Sequence, residues 1–190
     1  MQYCLGGYDM KLYHGSKNKF EKFSYDFVGS NAGNDEGYGF YFTDSKELAE
    51  RYADGGYIYT VNFKKERSLN EKKISINIPE LKRVLQLLHK SNDILNDFND
   101  VEYCGYSRVM NEAVGMLREN KNDVDMVAEL CNICGDKESV LKTIAKVTRR
   151  NCINSTDNKF TKNGENSRLI IALVNDDIEI VKIEKSNRTN

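Results

Sequence analysis

At 190 residues the chain has the length of one ordinary domain and can bury a single continuous core. Its 28 basic and 29 acidic side chains leave a formal charge of −1, which excludes a global electrostatic pull toward nucleic acid or an anionic membrane, though a local basic patch stays compatible. Apolar runs such as Leu169 to Val174 fall far short of the roughly 20 residues of a membrane helix, and the N-terminus shows no basic region leading into an apolar stretch. Five scattered cysteines (Cys4, Cys104, Cys131, Cys134, Cys152) argue against a disulfide framework, so a soluble, cytoplasmic protein with reduced thiols and no membrane partner is expected.

Residues 11–14 alternate charged and apolar as a strand does, and the stretch onward to Gly39 is a long loop rich in Gly, Asn, Ser and Asp. Phe20, Phe23 and Phe27, spaced by three and four, are expected to pin that loop to the core. Phe40-Tyr41-Phe42 is an aromatic strand core. Thr43-Asp44 followed by Glu47 is a capping-box pattern that opens a helix through Leu48, Ala49 and Tyr52. Gly55-Gly56 ends it, and residues 57–63 alternate as another strand.

From Pro79 to Arg150 the pattern turns helical. Leu81, Val84, Leu85 and Leu88 share a face behind Pro79, which suits a first helical turn, and further helices are predicted over 107–120, 124–134 and 137–149, the last capped by Asp136. Residues 169–174 and Ile178, Ile180 and Ile183, flanking Asn175-Asp176-Asp177, predict a final hairpin. Strands thus segregate to the two ends. The fold class expected is α+β: one domain over 1–190 with a small mixed or antiparallel sheet, interrupted by a helical insertion at about residues 79–150.

A three-glycine dinucleotide fingerprint, a phosphate loop with its lysine, paired zinc histidines and a Gly-x-Ser-x-Gly turn are all missing from the sequence. What stands out is the density of Tyr, His and Gly in two blocks, Leu12-Tyr13-His14-Gly15-Ser16 and Gly37-Tyr38-Gly39-Phe40-Tyr41-Phe42-Thr43. The pair resembles the diphtheria-toxin-like and poly(ADP-ribose)-polymerase-like ADP-ribosyltransferases, the His-Tyr-x branch. Their first strand carries His-Gly-Ser, and their next block reads Gly-x-Gly-x-Tyr-Phe before a helix ending in Tyr. Here that tyrosine is Tyr52, eleven residues after Tyr41. Residues 44–49 and 56–61 are similar to small prokaryotic and phage members, including the transferase domains of polyvalent proteins. The resemblance is dense over 11–63, weak in the terminal hairpin and absent from the helical region.

The resemblance implies an enzyme that uses NAD as substrate. It implies that the Gly15 backbone and Ser16 bond the nicotinamide carboxamide, that His14 bonds the adenosine ribose, and that Tyr41 and Tyr52 flank the nicotinamide ring, with Gly39 and Phe42 completing the binding set. A strand followed by about two turns of helix suits that placement of two tyrosines. The catalytic candidates are His14, Tyr41 and Glu165. In the polymerase-like enzymes a Glu at the start of the late strand supports the charge that develops as the glycosidic bond breaks. That position falls here near Arg168 or Leu169, and the nearest acid, Glu165, is three or four residues early. Either the strand is shifted, another group substitutes, or activity is altered. Loss of the Glu implies transfer of single ADP-ribose units. Three functions stay open: a mono-ADP-ribosyltransferase acting on protein or nucleic acid, as a toxin, effector or phage-encoded modifier; an NAD glycohydrolase; and an inactive NAD-binding module. Such proteins act in a cytoplasm, including a host's, and an inhibitor or antitoxin is a partner of that class.

Other features have plainer explanations. Cys131-x-x-Cys134 lacks a second pair, so two thiols on one amphipathic face account for it better than a metal. His89 sits near a helix end, as a surface or capping residue, and Arg149-Arg150, Lys182, Lys185 and Arg188 are modest basic clusters of the kind found on solvated faces. A lone His in a strand is commonplace; His14 acquires meaning from Gly15, Gly39, Tyr41 and Tyr52 at the right spacings.

Overall fold

The computed structural model describes residues 8–29, 37–155 and 167–187. Strand β1 (Tyr8–Ser16) pairs antiparallel with β3 (Tyr57–Lys65) along its whole length, from Tyr8 with Lys65 to Ser16 with Tyr57. The other strands are β2 (Phe40–Thr43), β4 (Arg67–Leu69), β5 (Arg150–Ser155), β6 (Leu169–Ala172) and β7 (Ile178–Lys185), in the sheet order β4-β5-β6-β2-β1-β3-β7. Every pairing is antiparallel except β4 with β5. Helix α1 (Lys46–Ala53) follows β2; α2 (Ile78–Asn92), α3 (Val101–Cys104), α4 (Tyr106–Leu117), α5 (Asp123–Cys134) and α6 (Lys137–Thr148) lie between β4 and β5. The fold is α+β, as the sequence predicts, a mostly antiparallel sheet with α2 to α6 inserted together between β4 and β5 and α1 apart from them. Among the described residues no helix is long and apolar enough to cross a membrane.

The connection between β3 and β4 dictates the shape of the sheet. Four strands separate them in the sheet order, five steps of about 4.8 Å or roughly 24 Å across a flat sheet. Yet only Glu66 lies between them in sequence, and one extended residue spans about 3.5 Å. The sheet must therefore curl until its halves meet. Asn151 of β5 seals the meeting: its side chain donates to Lys64 O (2.7 Å) and accepts from Glu66 N (2.9 Å). The crease falls between β1 and β2, which share a single pairing, Tyr13 with Thr43. Because side chains alternate along each strand, Leu12, His14, Phe40, Phe42, Tyr59 and Phe63 line one face and Tyr13, Gly15, Tyr41, Thr43 and Ile58 the other.

Local chemistry sets the helix ends. Asn77 and Glu80 form a reciprocal capping box at α2 with Pro79 in its first turn, and Asp136 caps α6 by accepting from Ser139 N (3.0 Å). The cap of α1 is Ser45, which accepts from Leu48 N (3.2 Å), and not the expected Thr43-Asp44 pair. Thr43 is retained in β2, and Asp44 is engaged by Arg168. Helix α1 stops where Asp54 (φ 47°) and Gly55 (φ 77°) turn left-handed.

Several expectations fail for tertiary reasons. The terminal strands form no hairpin: β6, apolar and buried at all four positions, needs a neighbour on each side and takes β5 and β2, while β7 crosses to the free edge of β3. Phe27 is 74% exposed, and Tyr25, turned inward by a 3-10 turn, pins the loop in its place. Arg150 is buried against Glu80 (3.2 Å) and Ser75 O (3.2 Å) instead of lying on a solvated face. Cys131 is buried and Cys134 half-buried, and burial pushes the Cys131 thiol up to about 12. No metal-holding group of three or more side chains occurs among the described residues.

The buried Asp123 carboxylate, at the start of α5, accepts from Asn70 N (3.0 Å), Ser75 N (2.6 Å), Ile76 N (3.0 Å) and Ser75 Oγ (2.6 Å), fixing the link from β4 to α2. Asp123→Ala strands these donors, each at a cost of about 1–3 kcal/mol. A loss of at least ~3 kcal/mol is expected in urea unfolding, and an unchanged midpoint would contradict it.

Candidate functional site

Past Tyr13 and Thr43 the β1 and β2 ladder stops, and a hydrogen bond from a side chain to the backbone joins the two strands there. His14 Nδ1 lies 2.8 Å from the carbonyl oxygen of Tyr41. A carbonyl only accepts, so Nδ1 carries the hydrogen. Burial pulls the His14 pKa below its usual 6.5, opposed in part by that carbonyl bond, so the ring is neutral at pH 7. A neutral ring protonated at Nδ1 has its lone pair on Nε2, which is therefore an acceptor suited to a hydroxyl.

An aromatic wall holds the ring. Phe20, Phe23, Phe42 and Tyr59 surround His14 with centroids 5.2–5.9 Å away. Phe20 stacks on Tyr59 at 4.1 Å, and its backbone N–H donates to the Tyr59 hydroxyl (2.6 Å). Tyr25 donates to Leu173 O (2.9 Å) and Asn175 Nδ2 to Phe23 O (3.0 Å), fastening this loop to the end of β6. The loop phenylalanines thus have a positional role that their spacing alone does not disclose.

The signature glycines lie where other chain segments press against them. A Cβ on Gly15 would overlap the Ala49 carbonyl oxygen and stand 2.6 Å from Ala53 N, because α1 crosses β1 there. The vacancy at Gly15 thus admits a helix of the protein itself. Gly39 (φ 152°) lies against β6, where a Cβ would approach Ala172 O at 2.5 Å. Tyr41 is half-buried and its hydroxyl donates to Gly37 O (2.6 Å), which orients the ring. Tyr52, 51% exposed, lies one turn beyond Ala49 on α1. Ser16 ends β1, and its hydroxyl accepts from Asn18 N (3.2 Å). Of the expected site residues, His14 and Tyr41 are joined directly and Phe42 packs on the His14 ring, whereas Gly15 and Ser16 end β1 beside α1, Gly39 lies against β6 and Tyr52 is exposed on α1.

Glu165 lies outside the described residues. Among the described residues, a carboxylate at the head of β6, where Leu169 pairs with Thr43, is that of Asp44, whose two oxygens accept from Arg168 N and Nε, each at 2.9 Å. This pair joins residues 124 apart in sequence and was invisible before folding. On β7 a second charged group is Glu184, whose carboxyl is held down at about 2 by hydrogen bonds from Lys182 and Lys46.

A family model described as ADP-ribosyltransferase in polyvalent proteins matches residues 6–169. The chain belongs to this family. The match runs through the helical region, where no resemblance was visible by motif, and ends at the first residue of β6. Neither the curated proteins nor the solved structures provide a match. Membership in an ADP-ribosyltransferase family supports that activity in general, and in this chain the ring of His14, in the His-Gly-Ser block, is bonded to the Tyr41 carbonyl.

The His14 titration follows from the geometry. Its imidazole resonances should titrate below pH 6.5, with His14→Ala assigning them against His89. Since the unfolded chain takes up this proton first, the stability contributed by the group is complete above about pH 6.5 and declines as the pH falls toward the folded value. Resonances titrating above 6.5 would exclude the buried neutral ring.

Proposed function

We propose that the chain binds NAD at the crease between β1 and β2, releases nicotinamide, and transfers single ADP-ribose units to a macromolecular acceptor, either protein or nucleic acid. The observation that carries this reading is the His14 to Tyr41 carbonyl bond, which fixes the ring across β1 and β2 and leaves Nε2 as the acceptor nitrogen. His14 would accept from the adenosine ribose. The Gly15 backbone and Ser16 would bond the carboxamide, and Tyr41 and Tyr52 would hold the nicotinamide ring between strand and helix, with Gly39 and Phe42 shaping the floor.

In the reaction the bond from ribose to nicotinamide breaks and its electron pair leaves with nicotinamide. A nucleophile of the acceptor bonds the anomeric carbon and gives its proton to solvent or a nearby base. Positioning and electrostatics supply the catalysis. Glu165 is the acid proposed to support the developing positive charge. The Asp44 carboxylate is the alternative, favoured by its place at the head of β6 beside Arg168. The family's description as a transferase of polyvalent proteins supports a toxin, effector or phage-encoded modifier, and the reading adds action in a cytoplasm with an inhibitor or antitoxin as counterpart.

The test is incubation with NAD labelled on the adenylate phosphate and a cell extract split into protein, RNA and DNA fractions, with His14→Ala as control. Label in one fraction is expected and names the acceptor class. Free ADP-ribose with unlabelled macromolecules makes the chain an NAD glycohydrolase, and untouched NAD in every fraction sinks the enzymatic reading in favour of an inactive module. Tyr41→Ala and Tyr52→Ala, if folded, should each raise KM for NAD about tenfold or more; wild-type kinetics in both would remove the nicotinamide clamp.

For the acid, Glu165→Gln is expected to slow nicotinamide release about 100-fold. Wild-type release from Glu165→Gln, coupled with a loss in Asp44→Asn, would transfer the role to Asp44.

A further inference from the structure

We infer that Lys137 and Asn132, both on the helical segment, are positioning residues for the NAD site: they hold the chain that leads into Tyr41 and so set the affinity for NAD. The inference rests on the proposed NAD site and adds to it a function for helices that contribute no residue to the expected site set. Lys137, the first residue of α6, donates from Nζ to Val28 O (3.0 Å), and the same ammonium lies 5.1 Å from the centroid of the Tyr38 ring. The Tyr38 hydroxyl donates to Asn132 Oδ1 on α5 (2.9 Å). Gly29 (φ 77°) completes the cluster, since a Cβ there would stand 2.8 Å from the Tyr38 ring and 3.1 Å from Lys137 Nζ. One ammonium therefore ties together the far end of the loop that walls in His14 and the start of the segment that carries Tyr41.

The hold passes on to the site by short steps. Gly37 is wedged between Val124 of α5 and Ile153 of β5, where a Cβ would meet their side chains at 3.0 and 2.7 Å. The carbonyl of that same Gly37 accepts the Tyr41 hydroxyl (2.6 Å). Beyond it Gly39 is pressed against β6. From Gly37 to Tyr41 the backbone is thus gripped by α5 and α6 on one side and by β6 on the other. The position of Lys137 is itself informative: a cation in the first turn of a helix opposes the helix dipole, so its contribution must come from the contacts it makes with Val28 and Tyr38.

The experiment compares full-length wild type, Lys137→Met, Lys137→Arg and Tyr38→Phe by amide hydrogen exchange, by calorimetric titration with NAD and by steady-state kinetics of nicotinamide release. Lys137→Met keeps the aliphatic stem and removes the donor and the charge. Faster exchange over 37–41, KM and Kd for NAD raised about tenfold, and kcat within about twofold are expected. Partial recovery is expected in Lys137→Arg, and a smaller shift in the same direction in Tyr38→Phe. Wild-type exchange and wild-type affinity in Lys137→Met overturn the inference. So does a fall in thermal midpoint and kcat together with KM unchanged, the signature of a merely structural lysine. Wild-type protein that leaves NAD unbound and untouched overturns the NAD reading and with it a role for Lys137 in NAD affinity, and faster exchange over 37–41 in Lys137→Met then shows a structural clamp alone.

Discussion

β3 hands the chain to β4 across Glu66 alone, although four strands lie between them in the sheet. No flat or gently twisted sheet satisfies that connection, and the curl it imposes is locked by Asn151, whose side chain bonds Lys64 O and Glu66 N. Pairing in the curled sheet is sparsest between β1 and β2, with their single register pair. There the His14 to Tyr41 carbonyl bond joins the two strands. The site is a consequence of how the sheet closes.

The signature residues are packing residues in this fold. Gly15 admits α1, Gly39 admits β6, and His14 is one ring in an aromatic cluster that packs the sheet against the loop bearing Phe20 and Phe23. Each would be required by packing even without a ligand. Their co-occurrence therefore reports the fold as strongly as the chemistry. The tautomer of His14 is the point at which packing becomes chemistry, because burial keeps the ring neutral and the Tyr41 carbonyl decides which nitrogen is the acceptor.

The helices are coupled to the sheet through buried polar contacts as well as apolar area. Glu80 closes the α2 capping box and also receives Arg150 at the start of β5, and Asp123 holds the β4 to α2 link against α5. Buried charges need such partners, since an unpaired one is far costlier than the pair. With Lys137 and Asn132 reaching the segment before Tyr41, the helical layer is braced against the sheet at one end and against the edge of the crease at the other.

Local pattern was enough for β1, β2, α1, β3 and the four long helices, because alternation, 3.6-residue periodicity and caps such as Asn77 and Asp136 are encoded within a few residues. The family, and the pairing of His14-Gly15-Ser16 with Gly39 to Tyr52, were legible for the same reason: they are short blocks at set spacing. The chain by itself did not disclose that β6 and β7 part company, that β4 and β5 run parallel, that Tyr25 replaces Phe27 in the core, or that Asp44 meets Arg168. Each depends on partners between about 80 and 150 residues away. Strand neighbours and long-range ion pairs are chosen by which edges and faces remain free after the sheet curls, and no local pattern carries that information.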